Sequence, residues 1–287
     1  MPFFSIIIPS YNRAHIINNV LEALQKQSYN DIEIIVVDDG SSDQTKEIIT
    51  PFLREHKNIK YLYQQNSGVC AARNTGAKIA QGEYLIFLDS DDDVEKDWLN
   101  DFYDLLKSNN YDVGFCNMKE VRLNEAVKLV DAANPYKNQD KKGKYIAGMF
   151  AINKTIFKEA GMYDENIKYG ENTELGIRLR TRGIKMGFIN QYNFIYNISA
   201  GEGSKNNLNK LHSNIYIVEK HQDYFKKNPG TKKLFIQVAA VAAARLGMYK
   251  TANELFKGLL KENKRDLKLW LQYFITLNSK LTQMKWG

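Results

Sequence analysis

Four carboxylates stand within five positions of this chain: Asp89, Asp91, Asp92 and Asp93, interrupted only by Ser90. Side chains that close repel one another. They also follow directly on Tyr84 to Leu88, an apolar run long enough for one buried strand. One Asp would suffice to cap a following helix, so the cluster calls for a positive partner. A hard divalent cation, Mn²⁺ or Mg²⁺, has the matching preference for oxygen ligands. Three more polar groups follow apolar runs in the same way. Ser10-Tyr11-Asn12-Arg13 comes after Phe3 to Ile8 and Pro9, Asp38-Asp39-Gly40-Ser41-Ser42-Asp43 after Ile32 to Val37, and Gln64 to Gly68, with Asn66, after Ile59 to Tyr63.

Helical patterns separate these runs. Ile16, Ile17, Val20, Leu21 and Leu24 recur at helical spacing, as do Ile48, Ile49, Phe52 and Leu53. Ser42 is a candidate cap for the second helix, and Pro51 predicts a kink or an early end to it. Ala71, Ala72, Ala77 and Ala80 mark a third, small-residue helix that Gly82 ends. Residues 1–93 thus read as strands alternating with helices, which means a mostly parallel sheet covered on both faces. Ligands bind such sheets at the carboxyl ends of the strands, where all four polar groups lie. Neither a phosphate loop nor a G-x-G-x-x-G follows any of these strands, so a nucleotide here needs another hold on its phosphates, such as a cation at the Asp cluster.

The second half is plainer. Tyr111 to Cys116, Ile146 to Ile152, Met186 to Ile189 and Asn193 to Ile198 read as further strands, and Trp98 to Leu106 and Thr155 to Ala160 as helices. Loops are expected over 131–144 and 199–209. A short helix starts at Glu171 and ends at Gly183, and from Leu211 the chain is helical, broken at Pro229-Gly230. The 287 residues and 44% apolar content allow a sizeable core and one large or two ordinary domains. They divide as an α/β domain over 1–204 and a helical region over 205–287.

No stretch is long enough to span a bilayer and no secretory signal is visible. Cys70 and Cys116 are the only cysteines, which argues against a disulfide scaffold and suits the cytoplasm. The net charge of +7 is uneven: residues 205–287 carry +11 and the first 204 carry −4. A segment that basic suits an anionic membrane or nucleic acid, or it simply keeps the helices soluble.

PSYNR at 9–13, VDDGSSD at 37–43, NSGVCAARNTG at 66–76 and FLDSDDD at 87–93 together resemble the family 2 glycosyltransferases, which have the GT-A fold. The motifs occur in the family's order across about the first 100 residues, followed more loosely by GENTEL at 170–175. The resemblance implies an α/β, mostly parallel sheet flanked by helices, with the C-terminal helices lying outside it. It implies a nucleotide-sugar donor, usually a UDP-sugar, and inverting transfer to an acceptor hydroxyl; the cysteine usage and the basic tail add the expectation of a cytoplasmic protein or one at the inner face of the membrane. Pro9, Tyr11 and Arg13 would frame the base and pyrophosphate, with Tyr11 stacking on a pyrimidine. Asp39 would accept from the uracil N–H and Asp38 support its loop. Asn66, Arg73, Asn74 and Ser90 would complete the donor site or orient its loops. Asp91 is the first choice as metal ligand, Asp89 lies toward the ribose or a metal-bound water, and Asp92 and Asp93 are second choices.

Family members place the catalytic base in a Glu–Asp pair at a helix start; here the pair is Glu171-Asn172. An amide cannot take the proton, which leaves Glu171 as the base, with Glu174 and Asp164 as understudies. Two other readings stand beside transfer: a metal-dependent nucleotidyltransferase, and a nucleotide-sugar-binding scaffold that has lost its base. A glycan or lipid-linked acceptor is expected and nucleic acid is not. Peripheral membrane contact through the basic helices is an expectation, as is a homo-oligomer through Phe235, Val238 and Leu246.

Overall fold

A computed structural model of the chain describes residues 1–122, 125–132, 145–198 and 206–277. The first half runs β1 (Phe4–Ser10), α1 (Ile17–Gln25), β2 (Ile32–Asp38), α2 (Thr45–Glu55), β3 (Ile59–Tyr63), α3 (Val69–Ile79), β4 (Tyr84–Phe87), β5 (Asp93–Val94) and α4 (Trp98–Asn109). Then come β6 (Val113–Phe115), β7 (Met118–Arg122), β8 (Lys128–Val130), β9 (Phe150–Asn153), α5 (Lys154–Glu159), α6 (Glu171–Arg180), β10 (Met186–Phe188) and β11 (Phe194–Ile198). The helices α7 (Asn207–Lys220), α8 (Gln222–Lys227), α9 (Pro229–Arg245), α10 (Tyr249–Glu262) and α11 (Leu267–Leu277) follow.

Two compact units emerge. One comprises residues 1–165 and 175–198; the other joins residues 166–174 to the helices from Asn207 onward. The chain therefore returns to the first unit within α6, whereas composition alone suggested a single boundary at 204.

The first unit holds a seven-stranded sheet in the order β10-β6-β9-β4-β1-β2-β3. β4, β1, β2 and β3 are parallel neighbours, and β9 runs antiparallel to both β4 and β6. β1 and β2 are buried at every position, as expected for strands covered on both faces. Crossing from β3 to β4 changes direction in the sheet, so the topological switch point lies between β1 and β4. Pro9 fits there without loss. Leu88 donates to the Ile7 carbonyl, so Pro9, two residues on, turns its missing N–H toward the same side, beyond the last residue of β4. Gly82 brings α3 back to the sheet: a Cβ there would stand 2.6 Å from the Ser5 backbone nitrogen. The Gly82 N–H instead donates to Ser5 Oγ, which donates to the buried carboxylate of Glu33.

A second sheet, β5-β11-β7-β8, was not foreseen from sequence apart from β11. β7 and β8 are sequence neighbours, but β11 pairs across long separations, with Ile195 opposite Asp93 and Phe194 opposite Met118. Pro51 does not end α2, which continues to Glu55 with the proline exposed. Ser42 is not the cap either: Asp43 accepts from the Thr45 N–H. The loops expected over 131–144 and 199–209 fall largely outside the described residues.

The second unit has its own core, built from Leu211, the Ala239–Ala244 stretch of α9, Ala252, Phe256, Leu259 and Leu269. Small residues on α9 let its neighbours approach closely. Pro229 opens α9 rather than merely breaking the preceding helix. Gly247, with φ +74°, closes α9 by letting Met248 and Gly247 donate to Ala243 and Ala244.

Candidate functional site

The four polar groups lie at the carboxyl ends of four adjacent strands. The loops after β1 and β2 are laced together by backbone donors. Asn12 and Arg13 donate to Ser41 Oγ and Thr45 Oγ1, both at 2.9 Å, and Ala14 to Asp43 Oδ2 at 3.0 Å. Ser42 N–H returns a bond to Asn12 Oδ1 at 2.9 Å. This requires the left-handed backbone found at Asn12, φ +53°. Tyr11 is thereby left 49% exposed, its ring available to a ligand. Arg13 is half-buried and Pro9 buried.

Asp38 and Asp39 are both buried and both engaged. Asp38 accepts from the Ser41 N–H at 2.8 Å and the Tyr61 hydroxyl at 2.7 Å. Asp39 accepts from Gln64 Nε2 at 2.7 Å and from the Ser67 and Gly68 N–H groups at 2.8 Å. Asp39 thus organises the loop after β3, and three of its roughly four acceptor sites are filled before any ligand arrives. Gly40, φ +84°, permits the close approach of the two loops, since a Cβ there would stand 2.8 Å from the Asn66 backbone nitrogen. Asn66 itself is exposed.

Arg73 and Asn74 are neighbours on α3. Arg73 is buried, donates to Asp89 Oδ1 at 2.7 Å and lies 5.3 Å from the Tyr163 ring centroid. It anchors the first Asp of the cluster. Asn74 meets the backbone of the same Tyr163: it accepts from the Tyr163 N–H and donates to the Tyr163 carbonyl and Glu165 Oε1, at 2.9–3.0 Å. Both ends of its amide hold residues 163–165, in keeping with the loop-orienting alternative.

After β4 the carboxylates crowd as expected. Burial raises the Asp91 pKa and Asp89 adds to it, against the opposing charges of Arg13 and His15. Asp92 is pushed well above the ordinary carboxylate value by burial and by Asp89 and Asp91. Burial and the same three carboxylates push the Tyr196 phenol up to about 12. Asn197, on β11, holds the cluster from the other side: its N–H donates to Asp92 Oδ1 at 3.0 Å and its Nδ2 to the Asp91 carbonyl at 2.9 Å. It stands 106 residues from Asp91, and nothing in its own neighbourhood of sequence marked it. Ser90 is buried and Asp93 exposed, its Oδ1 accepting from the Val94 N–H.

The fit to a cation has a definite form. No three His, Cys, Asp or Glu side chains among the described residues converge as a ready-made metal cage. Yet Asp92 Oδ2 is buried with no hydrogen-bond partner, and the local field is strongly negative. Such a donor set would suit a hard cation held by one or two carboxylates.

Of the three candidate bases, Glu171 is half-buried and accepts from Asn172 Nδ2 at 3.1 Å. The amide that departs from the family's pair therefore supports its neighbour. Asp164 is also half-buried. Glu174 is fully buried and accepts from Lys220 Nζ at 2.9 Å and His221 Nε2 at 2.8 Å. Paired twice and closed to solvent, it is not available to take a proton from an acceptor.

Known proteins resemble this chain over most of its length. Residues 5–160 match the family model "Glycosyl transferase family 2". An uncharacterized glycosyltransferase of Rickettsia felis is 29% identical over 84% of this chain and 41% of its own length. The Streptococcus pneumoniae glycosyltransferase GlyA is 29% identical over 70% of this chain and 31% of its own. The chain thus spans well under half the length of either relative. Among solved structures, S. aureus TarS 1-349 in complex with UDP-GlcNAc superposes with a TM-score of 0.64 at 21% identity, over 96% of this chain and 80% of that one. At that identity the likeness is one of fold, the seven-stranded sheet with helical flanks and C-terminal helices. With more than half its length matched by the family model, the chain belongs to glycosyl transferase family 2.

Proposed function

We propose that this glycosyltransferase moves a sugar from a UDP-sugar to an acceptor hydroxyl with inversion, in the synthesis of a surface polysaccharide or glycoconjugate. The observation that carries the donor assignment is the switch point between β1 and β4, with Tyr11 and Arg13 at one strand end and Asp89 and Asp91 at the next. Crevices at such points are where open α/β sheets take nucleotides.

In this reading Tyr11 stacks on the uracil, and the loop that Asp39 orders with Gln64, Ser67 and Gly68 borders the base. Arg13 faces the diphosphate. Asp91 would hold the cation, and Asp89, steadied by Arg73, would lie toward the ribose or the cation. A bound Mn²⁺ or Mg²⁺ supplies Lewis-acid stabilisation of the departing diphosphate. Glu171 takes the acceptor's proton as the hydroxyl attacks the anomeric carbon, and the glycosyl–phosphate bond breaks on the opposite side. Single displacement inverts that carbon.

A thermal-shift and product screen tests the assignment, using UDP-, GDP- and dTDP-sugars with and without Mn²⁺. The expected result is metal-dependent stabilisation by one UDP-sugar and release of UDP from it. Release of pyrophosphate from a nucleoside triphosphate and a sugar phosphate would instead make the protein a nucleotidyltransferase.

We also assign the basic helices to an anionic membrane surface at its cytoplasmic side. Charge supports this: Lys264, Arg265 and Lys268 are exposed beside Leu267 and Leu271, which are 82% and 55% exposed on α11.

A further inference from the structure

A fully buried glutamate two residues after an amide, on a helix that begins with the candidate base, needs an explanation. Glu174 meets two cationic or proton-donating groups at the carboxyl end of α7, Lys220 Nζ at 2.9 Å and His221 Nε2 at 2.8 Å. A helix C-terminus is where positive groups are favoured, so α7 presents a prepared socket for one carboxylate. The rest of the turn is tied to the same helix. The Lys168 N–H donates to Ser213 Oγ at 3.1 Å, and the Lys210 ammonium lies 5.5 Å from the Tyr169 ring centroid. Gly170, φ +80°, faces Ile217. Residues 166–174 accordingly form one compact unit with the C-terminal helices and not with the sheet.

We propose that Glu174, Lys220 and His221 are positioning residues: they clamp the turn that carries Glu171, so the C-terminal helices set the orientation of the base. This rests on the assignment of Glu171 as base. It gives those helices a part in the chemistry that their sequence, lying outside the family motifs, does not announce. The clamp works by geometry. The Glu174 N–H donates to the Gly170 carbonyl at 3.0 Å, so fixing Glu174 fixes the first turn of α6. Glu171 is the first residue of that turn and is half-buried.

The test pairs hydrogen–deuterium exchange with turnover in the full chain. Lys220→Met and His221→Leu remove the donors; His221→Gln keeps an N–H near the position of Nε2. Exchange over 166–174 should speed up by about tenfold in the first two and stay near the unaltered rate in the third, with the 84–94 segment unchanged in all. UDP release from UDP-N-acetylglucosamine and UDP-glucose with Mn²⁺ should show kcat falling by roughly tenfold or more. Donor KM should move by less than about twofold, and His221→Gln should recover the rate. Lys226→Ala, in the exposed pair with Asp223, serves as the surface control. Should His221→Leu fail to fold, Lys220→Met carries the same comparison, because Lys220 is partly exposed. Unchanged exchange over 166–174 overturns the clamp, as does faster exchange with unchanged kcat. An unaltered chain that releases no UDP from either donor contradicts the donor assignment, and the clamp then stands or falls on the exchange rates.

Discussion

Asp39 illustrates how a functional residue can act through the loops around it. Its carboxylate collects three donors from the segment after β3. Asp39→Asn keeps the shape but turns an NH₂ toward at least one of those donors. A buried donor left without an acceptor costs about 1–3 kcal/mol. The melting temperature should therefore drop, and UDP affinity with it as the loop loosens; unchanged calorimetric binding would contradict this role. Glu33 makes a second test, remote from the site. Burial pushes its carboxyl up, but bonds from Lys60, Ser5 and the Gln81 N–H outweigh that and hold it below the ordinary value. A depressed pKa contributes stability above the unfolded value, lost as pH falls through the folded one. Glu33→Gln should lower the melting temperature at pH 7 and flatten its decline between about pH 5 and 3. Identical acid limbs in the two proteins would count against it. Side chains such as Tyr11, Arg13 and Asp91 were legible in the sequence because each directly follows an apolar strand. Asn197 was not, since it arrives from a strand about a hundred residues on; for Asn74 the pattern suggested a site or loop-orienting role but not that residues 163–165 are what it holds.

Elements were legible in proportion to how local their stabilisation is. The four parallel strands with their alternating helices announce themselves by unbroken apolar runs, and their burial on both faces explains why. The second sheet stayed hidden because β5, β7 and β8 have two to five residues each and because β5 and β7 are joined only through β11, far along the chain. Pro51 misled in the opposite sense, since a single exposed proline is outweighed by the burial of Thr45 and Ile49 on the inner face of α2. Gly82 offers the sharpest element-scale prediction. Gly82→Ala must push the turn before β4 away from β1, where the backbone of Ser5 cannot yield. Overpacking of this kind costs about 1–3 kcal/mol, measurable as a lower denaturant midpoint with an unchanged slope. Wild-type stability in this variant would show that the contact is not tight.

On the scale of the whole chain, charge and contacts divide it differently. Composition separates an acidic first part from a basic tail, whereas contacts give residues 166–174 to the tail. The turn before α11, with Lys264 and Arg265, and the exposed Leu267, Lys268 and Leu271 of the helix itself predict sedimentation with phosphatidylglycerol vesicles. The triple variant Lys264→Glu, Arg265→Glu, Lys268→Glu should lose most of that binding, and equal sedimentation would remove the membrane assignment. No helix among the described residues is long and apolar enough to cross a bilayer, so any such attachment through them is peripheral. At the edge of the sheet, we propose, carboxylates after β4 hold a cation that in turn holds a diphosphate. Calorimetric titration of UDP into the unaltered chain and into Asp91→Ala, each with Mn²⁺ and with chelator, measures it directly. Binding to the unaltered chain should weaken by about tenfold or more without Mn²⁺, about 1.4 kcal/mol for each tenfold step, and Asp91→Ala should bind weakly with or without the metal. Equal UDP affinity in all four titrations would contradict the claim.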